Sequence, residues 1–366
     1  MKKTNFITAI SSTALLTLSA AANAQETWTM TSTWPDSLGL IEIDRHWVET
    51  VNKLTDGELS IEFRAGGTLM PSTEVFDATE TGSIEASGDW PGYWAGTDSA
   101  FSPLGTTTML FNGVDYLNWI MQWGGWELYQ EVYGKYNLVY LPYGIVGSES
   151  GLMGGVPITS LNDIDGKRVR LAGRDQGRVL SGLGGSQVSL SGAEIYQAIE
   201  RGVVEAMEFN TPGVDYDAGF AEVVDHWTVP GWHQTGSVLG VMINKDAWDS
   251  LSEQTQGKLK IAAESTMAWS LSWLERKSTE GAESFIEAGV EIHKLSEEDL
   301  EKIQKITNQV IVQSACENPM TAQVYHSMVS YLEHYSTWRD LTVPFNMSRT
   351  TDNLPSLEEL EACINQ

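Results

Sequence analysis

The stretch DGKRVRLAGRDQGRVLSGLGGSQVSLSGAEIYQAIERGVVEAMEFN, residues 165–210, decides the fold, because it holds two strand patterns on either side of a capped helix pattern. The first strand ends near Arg170, and Ser191 with Glu194 forms a capping box that opens a helix over 192–201. The second strand delivers the tripeptide Glu-Phe-Asn at 208–210. Since ligands of open α/β sheets bind at the strand ends, this layout predicts a cleft for a small anion.

The chain before this stretch alternates between strand and helix patterns. Strands are predicted over 27–33, 58–64 and 82–87, with helices over 40–54 and 73–81. This order predicts a mostly parallel sheet covered by helices. A second group of strands is predicted near 138–141, 151–154, 168–172, 187–190 and 203–209. The almost wholly apolar run at 238–244 is typical of a buried central strand and is assigned to the first sheet.

The resulting fold class is α/β, with two lobes followed by long helices. Lobe I is predicted to comprise residues 25–147 and 237–295, and lobe II residues 148–236. Residues 296–366 form a C-terminal helical region. Helix starts are predicted at Ser252 and at Ser296 with Asp299, and a further helix over 321–334. Because these helices exceed what two small sheets need for cover, part of their surface is predicted to form a dimer interface.

The first 24 residues have the pattern of a secretory signal peptide. Two lysines precede an apolar run over 6–18, and Ala22-Asn23-Ala24 is an A-x-A cleavage site. The run is shorter than the roughly 20 residues that span a bilayer. Export would place Cys316 and Cys363 in an oxidising compartment, where they either form one disulfide or remain two buried thiols.

The charge balance and the missing motifs exclude several classes of protein. The chain has 22 basic and 49 acidic residues and a formal net charge of −27, which repels nucleic acid and anionic membranes. The six histidines are scattered without the spacing of a zinc motif. The sequence lacks a G-x-S-x-G, P-loop or H-E-x-x-H motif, so an enzyme has no evident nucleophile and the chain is predicted not to be one.

Arg170 is the first candidate for anion binding. Its guanidinium has a planar set of donors that matches the two oxygens of a carboxylate. A hydrogen-bonded guanidinium–carboxylate pair contributes about 1.5–3 kcal/mol to binding when it is partly buried. Arg168 and Arg174 fit the same description, and an arginine at a strand end more often forms a salt bridge with a nearby acid. The residues alone leave the choice among the three open.

Polar and aromatic side chains supply the other candidates. Asn210 both donates and accepts hydrogen bonds, and it serves equally well as a turn residue before Thr211-Pro212. Tryptophans in turns, such as Trp34 and Trp232, suit the walls of a small pocket. A different hypothesis is a secreted hydrolase with paired carboxylates, which would combine Glu208 with Asp89 or Asp215.

Five segments resemble the solute-binding proteins of tripartite ATP-independent periplasmic (TRAP) transporters, and most of all their 2-oxo acid-binding branch. The segments span most of the chain in the family's order: GGTLMPSTEVFDATETGSIEASGDWPGYWAG (66–96), GKRVRLAG (166–173), GAEIYQAIERGVVEAMEFN (192–210), VPGWHQTG (229–236) and INKDAW (243–248).

This resemblance implies a two-lobed, type II-like periplasmic binding protein that closes on a small organic carboxylate and delivers it to TRAP membrane permease subunits. Arg170 occupies the position of the family arginine that binds the carboxylate, and Tyr93 that of an aromatic ring in the pocket. Asn210 and Gln234 become hydrogen-bond partners. Trp34, Phe209 and Trp232 become walls. The C-terminal helices resemble those of a helix-exchanged homodimer, and a solute-sensing ectodomain would differ only in its downstream partner.

The resemblance also implies a sodium or calcium ion that bridges the ligand and the protein. The family's cation ligands correspond here to Leu152, Glu208-Phe209 and Gln234. Leucine cannot coordinate, and glutamine supplies a neutral oxygen in place of a carboxylate. The sequence therefore predicts a site with fewer ligands and less charge, with Glu208 and Gln234 as the remaining ones, and it makes a cation doubtful.

Overall fold

The computed structural model describes residues 25–342, which form two β-sheets with helices packed on them. The first sheet contains β1 (Glu26–Ser32), β2 (Leu59–Phe63), β3 (Ala86–Asp89), β4 (Leu138–Val146) and β10 (Ser237–Asn244). The second contains β5 (Leu152–Gly154), β6 (Arg168–Arg170), β7 (Ser186–Val188), β8 (Ala206–Met207), β9 (His226–Val229) and β11 (Glu291–Lys294). The predicted two-lobed α/β architecture is confirmed.

The helices follow the strands in three groups. The helices before β5 are α1 (Ile41–Thr55), α2 (Val75–Glu80), α3 (Phe101–Gly105), α4 (Gly113–Gln122) and α5 (Gly125–Gly134). The helices between β6 and β9 are α6 (Arg174–Gly182), α7 (Ile195–Glu200) and α8 (Pro212–Asp217). The helices after β10 are α9 (Lys245–Ser250), α10 (Glu253–Glu287), α11 (Glu297–Glu317) and α12 (Pro319–Thr342).

The first sheet has the strand order β2-β1-β3-β10-β4 and is parallel only on one side. Strands β1, β2 and β3 pair in parallel, whereas β10 lies antiparallel between β3 and β4. The chain leaves this sheet at the end of β4 and returns from the second sheet into β10, so these two strands run in opposite directions. All eight residues of β10 are buried, as predicted for a central strand.

The second sheet has the order β11-β9-β5-β8-β6-β7. Its outer strand β11 pairs in parallel with β9, so residues 291–294 belong with this sheet and not with lobe I, where the sequence had placed them. The pairing joins segments about 65 residues apart in the chain, and periodicity along the sequence does not show it. Strand β8 is also shorter than the predicted strand over 203–209.

Helix α10 connects the two sheets and packs against both lobes, including α1 on one side and α8 on the other. Its contact with α8 is made through two glycines. A Cβ atom on Gly281 would lie 2.5 Å from the Gly213 backbone, and one on Gly213 would lie 2.4 Å from the carbonyl oxygen of Lys277. The two helix backbones therefore touch with no side chain between them.

The C-terminal helices α11 and α12 pack against each other and against different lobes. Ile303 and Val310 of α11 join the apolar cluster of the second sheet, whereas Val324 and Met328 of α12 join the aromatic cluster around α3 to α5. Large apolar side chains remain exposed along this pair of helices: Val312, Val329, Trp338 and Leu341. The pair thus closes one flank of both lobes and still presents apolar surface.

Local signals in the sequence placed the helix starts correctly. Ser191 with Glu194 and Ser296 with Asp299 form capping boxes, and the Ser252 hydroxyl accepts from the Thr255 backbone N–H. The predicted signal peptide and Cys363 lie outside the described residues. Cys316 is exposed, so the alternative of two buried thiols is wrong for this residue. Among residues 25–342, every helix is too short or too polar to cross a membrane.

Candidate functional site

A small cavity lies where the two lobes meet. Six of the side chains selected from the sequence line it: Trp34, Tyr93, Arg170, Phe209, Asn210 and Gln234. Six residues that sequence reasoning did not select complete the lining: Leu40, Trp90, Glu149, Ala172, Ser237 and Leu239. Both lobes contribute, so the cavity exists only while they are closed on each other.

The fold brings these side chains together from the ends of strands and from the chain crossovers. Trp34 follows β1, and Tyr93 lies in a single 3-10 turn after β3. Arg170 ends β6, and Phe209 and Asn210 come two and three residues after the end of β8, on the neighbouring parallel strand. The strand-end rule that selected the polar tripeptide from the sequence accounts for this placement.

Arg170 is 1% exposed, and most of its hydrogen-bonding capacity is used inside the protein. Nη1 donates to the carbonyl oxygen of Glu208 at 2.6 Å and to Glu208 Oε1 at 3.0 Å, while Nε and Nη2 both donate to the Leu190 carbonyl. A guanidinium has five N–H donors, so among the described residues one Nη2 N–H is left over. Arg170 therefore offers its charge and a single donor to the cavity, and no two-pronged fork.

The two competing arginines have surface partners instead. Arg168 donates to Glu205, with its Nε 3.2 Å from Oε1, and its side chain is 49% exposed. Arg174 pairs with Glu317 of α11. Only Arg170 of the three lines the cavity, and it also forms the salt bridge that a strand-end arginine usually forms.

Glu208 lies behind Arg170 and does not line the cavity. Its Oε1 accepts from Arg170 and, at 2.6 Å, from the Ala172 backbone N–H, while Oε2 accepts from Gln234 Nε2 at 3.5 Å. Burial raises the pKa of this carboxyl, and the charge of Arg170 opposes the rise. The pair is fully buried and fixes the orientation of the guanidinium.

Glu149 is the most important residue that sequence reasoning missed. It lies on the crossover from β4 to β5, is 5% exposed, and lines the cavity. Burial raises its pKa well above the ordinary value, and the nearby carboxyls of Glu208 and Asp215 raise it further. The only signal for it in the sequence is an acid between two buried strands, in the segment VGSESGLMGG.

The two crossovers that carry Glu149 and Gln234 are held side by side. The Glu149 backbone N–H donates to the Gln234 carbonyl at 3.1 Å. Gly231 permits the close approach, because a Cβ atom there would lie 2.3 Å from the Glu149 carbonyl oxygen. Two polar groups of the site, those of Glu149 and Gln234, are therefore attached to the segments that join the lobes.

Three buried oxygen atoms of the cavity residues have no hydrogen-bond partner among residues 25–342: Glu149 Oε2, Asn210 Oδ1 and Gln234 Oε1. A buried polar atom without a partner costs about 1–3 kcal/mol, so these atoms call for a ligand. One carboxylate and two amide oxygens are ligands that sodium and calcium accept. The residues present therefore fit a hard cation better than the sequence predicted, because Glu149 adds the oxygen ligand that Leu152 cannot supply and, once the ion has displaced its proton, the negative charge that Gln234 lacks.

Two of the predicted positions lie elsewhere. Trp232 is buried in the apolar cluster of the second sheet, next to Leu152, and does not line the cavity. Leu152 belongs to β5 and is 2% exposed within the same cluster. Both residues belong to the core of lobe II and pack behind the residues that line the cavity.

The acids of the hydrolase hypothesis have structural partners. Asp89 accepts from Trp94 Nε1 at 2.6 Å and from Tyr133 Oη at 2.7 Å, and Asp215 accepts from the Asn210 backbone N–H at 3.0 Å. Burial raises the pKa of each to about 7. His233 is buried as well, and burial lowers its pKa to about 3, so it stays neutral at physiological pH. None of the three lines the cavity.

A second, larger cavity shares Tyr93 and Ala172 with the first. Most of its other lining residues carry hydroxyl groups: Thr33, Ser72, Thr73, Ser189 and Ser191. It extends the cleft beyond Tyr93, between the 3-10 turn that follows β2 and the start of the 3-10 turn before α7.

Two α/β lobes, a closed interlobe cavity and a buried arginine define a two-lobed solute-binding protein. The chain belongs to the bacterial extracellular solute-binding protein family 7, whose model matches residues 32–318. The predicted class, a TRAP-type solute-binding protein and not an enzyme, is confirmed.

Individual relatives agree with this assignment. A monocarboxylate 2-oxoacid-binding periplasmic protein of Nostoc sp. is 28% identical over 311 residues, 85% of each chain. A TRAP transporter solute-binding protein from Bordetella bronchiseptica, crystallised as a mixed-occupancy dimer with copurified calcium and picolinate, is 26% identical with a TM-score of 0.83, covering 87% of this chain and 95% of that one. A TRAP periplasmic solute-binding protein from Pseudoalteromonas atlantica, with bound sodium and pyruvate, is 23% identical in sequence and superposes with a TM-score of 0.82. The match covers 87% of this chain and 97% of that one and shows the shared fold.

Proposed function

We propose that this protein captures a small organic monocarboxylate of the 2-oxo acid class in the periplasm and delivers it to TRAP permease subunits. The observation that carries the proposal is the single uncommitted Nη2 N–H of Arg170, 1% exposed, at the wall of a closed cavity. A charge-assisted hydrogen bond to a carboxylate is strong in such a water-poor site. Asn210 and Gln234 lie beside it with amide groups for the 2-oxo oxygen.

A cation is part of the proposed ligand complex. Arg170 and Glu208 neutralise each other as a buried pair, so a bound carboxylate brings an uncompensated negative charge beside Glu149. Sodium or calcium bound by Glu149, Asn210 and Gln234 would offset that charge and give their oxygen atoms a partner. The sodium and calcium in the homologous structures support this proposal.

The rest of the ligand is proposed to point into the hydroxyl-lined cavity. Tyr93 and Ala172 border both cavities, so a substituent on the acid can pass between them. The buried Thr33 hydroxyl on the wall of the hydroxyl-lined cavity has no hydrogen-bond partner among residues 25–342, so a polar group on the substituent would give it one. Among 2-oxo acids of equal length, those with a hydroxyl or a second carbonyl are expected to bind more tightly.

The test of the proposal is isothermal titration calorimetry of a 2-oxo acid panel, with calcium present, against Arg170→Gln/Glu208→Gln and Glu208→Gln. The first replaces the buried ion pair by neutral side chains of similar shape, which avoids leaving one charge unpaired. The difference between the two variants isolates Arg170, and we expect a loss of at least about tenfold.

The matched control is Arg168→Gln/Glu205→Gln, which removes an exposed pair of the same composition from the same sheet. It should bind the acids like the unsubstituted protein. Equal affinities for all four proteins would refute Arg170 as the anchor. Turnover of any acid without a partner protein would favour the hydrolase hypothesis instead.

We also propose that the chain forms a homodimer through α11 and α12. The support is their exposed apolar side chains, of which Val312 is 62% and Trp338 63% exposed. Val312 and Val329 line one groove between the two helices, and exposed apolar surface of this kind is typical of interfaces between subunits. The mixed-occupancy dimer of the Bordetella relative is consistent with this proposal.

A further inference from the structure

Three side chains capable of binding metal meet on the second sheet, and none of them lines the interlobe cavity. His226 begins β9, and Glu291 and His293 lie on the adjacent parallel strand β11. The register pairs Glu291 with His226, and His293 lies two residues further along. Because alternate residues of a strand point to the same side, all three side chains emerge from one face.

Two of the distances among their ligand atoms are close to those around a tetrahedral metal ion. His226 Nδ1 lies 3.1 Å from His293 Nε2 and 3.4 Å from Glu291 Oε2, and one ligand atom of each residue lies within 4.8 Å of the other two. Two nitrogen or oxygen ligands at about 2.0–2.2 Å from a tetrahedral zinc ion are themselves roughly 3.3–3.5 Å apart. Within residues 25–342 this is the one such trio of His, Cys, Asp or Glu side chains.

Hydrogen bonds within the trio cannot pair all three of these atoms at once. The same atom, His226 Nδ1, faces both His293 Nε2 and Glu291 Oε2. A neutral imidazole nitrogen carries either one hydrogen or one lone pair, so it can donate to one of these neighbours or accept from the histidine. If it accepts, its lone pair faces the carboxylate. A cation between the three atoms is attractive to all of them.

We propose that His226, His293 and Glu291 form a binding site for a divalent transition metal ion, zinc foremost. Two imidazoles and one carboxylate are the ligands that zinc, nickel and cobalt prefer, in contrast to the all-oxygen set of the interlobe cavity. The Glu291 side chain is 66% exposed and that of His226 20%, so the ion can enter from solvent. A water molecule would complete four-coordination.

A metal ion at this site would link the edge strand β11 more firmly to β9, its one neighbour among the described residues. Strand β11 is the outermost of the second sheet and pairs only with β9 within the described residues. It follows α10 directly, and α10 contacts both lobes. Bound metal would therefore stabilise the attachment of this helix to lobe II, independently of any solute in the interlobe cavity.

The experiment uses the full chain purified without a polyhistidine tag and freed of metal with a chelator. Zinc binding is measured by calorimetry, and cobalt binding by the visible absorption of tetrahedral cobalt. We expect one zinc ion per chain and a rise of several degrees in the melting temperature. His226→Gln/His293→Gln should lose this binding by at least about tenfold, because even outer-shell partners of a metal contribute about that much.

The control variant is His326→Gln, which removes an exposed histidine of α12 and should bind zinc like the unsubstituted chain. Glu149→Gln separates the two cation sites, since it alters the interlobe cavity and should leave zinc affinity unchanged. Equal zinc binding by the double variant and the unsubstituted chain would overturn the proposal. So would zinc binding that is abolished by Glu149→Gln, because the ion would then occupy the cavity between the lobes.

Discussion

At the scale of single residues, Arg170 and Glu149 show what a strand pattern can and cannot reveal. Arg170, Phe209 and Asn210 follow strand ends, where the geometry of parallel strands brings side chains together, and the sequence identified them for that reason. Glu149 lies on a crossover without periodicity, and its partner Gln234 is 85 residues away on the other crossover. Only the folded arrangement of the two crossovers makes Glu149 part of the site.

Glu149→Gln is expected to weaken calcium-dependent binding of the solute by at least about tenfold. The substitution keeps the size of the side chain and removes the one carboxylate among the three unpaired oxygen atoms, and calcium affinity depends strongly on the charge of its ligands. Calorimetric titration of the acid at fixed calcium concentrations measures the effect.

Glu205→Gln serves as the control, because Glu205 is an acid of the same sheet that lies outside the cavity. A Glu149→Gln protein with the same calcium dependence as the control would show that Glu149 has no part in holding the ion.

At the scale of elements, the C-terminal helices are fixed to both lobes by one buried carboxylate. Asp175 of α6 accepts from Ser314 Oγ of α11 at 2.7 Å, from Tyr325 Oη of α12 at 2.8 Å, and from Ser102 Oγ of α3 at 3.1 Å. Four helices thus converge on a single side chain. Sequence reasoning predicted α10, α11 and α12 from local caps and spacing, whereas this convergence depends on tertiary contacts that span up to 150 residues.

Asp175→Ala is therefore expected to lower the free energy of unfolding by about 3 kcal/mol, since three hydroxyl groups lose their acceptor at about 1 kcal/mol each. Tyr325→Phe removes one of the three bonds and should cost about 1 kcal/mol. Urea denaturation followed by tryptophan fluorescence measures both values. If the two variants are equally stable, the convergence on Asp175 does not hold the helices in place.

The elements that the sequence analysis missed differ in their cause. Helix α3 is five residues long and wholly buried, so it gives no periodic pattern, whereas α4 and α5 each bury one face at helical spacing, so their pattern is present in the sequence and was missed. Strand β11 is only four residues long and is stabilised by its pairing with β9. For α3 and β11 the local signal is weak, and tertiary packing decides the structure.

At the scale of the whole molecule, buried carboxyls make stability depend on pH. Burial raises the pKa of Asp44 and Asp89 from 3.8 to about 7. The folded chain therefore keeps these protons up to about pH 7, whereas the unfolded chain releases them near pH 4. Because the folded state binds more protons in this interval, stability falls as the pH rises from about 4 through 7. The net charge of −27 adds self-repulsion in the same direction.

Asp89→Asn should reduce this pH dependence. An amide can accept from Trp94 Nε1 through its oxygen and donate to Tyr133 Oη, so the contacts are kept without a titrating group. One pKa unit corresponds to about 1.4 kcal/mol, and about two pH units of the interval between 3.8 and about 7 lie above pH 5, so the difference in stability between pH 5 and pH 8 should shrink by about 3 kcal/mol. Chemical denaturation at pH 5 and pH 8 tests this, and an unchanged difference between the two pH values would contradict it.

The proposed dimer is also a property of the whole molecule. Val312→Asp/Val329→Asp places two charges on the exposed apolar surface of α11 and α12 and is expected to yield monomers. Light scattering coupled to size-exclusion chromatography at micromolar concentration measures the mass. Ile261→Asp is the control, because Ile261 is a 58% exposed residue of α10 outside this surface. A monomeric unsubstituted chain would contradict the proposal outright.

The position of Glu149 and Gln234 on the two crossovers joins recognition to movement. In a protein whose ligand contacts were confined to the lobe surfaces, the pivot would sense the ligand only through intervening packing. Here two of the polar side chains that line the cavity belong to the segments that join the lobes, and one backbone hydrogen bond holds those segments together. Any partner that separates the lobes therefore also displaces the ligand contacts of Glu149 and Gln234, and release of the ligand requires no additional conformational change.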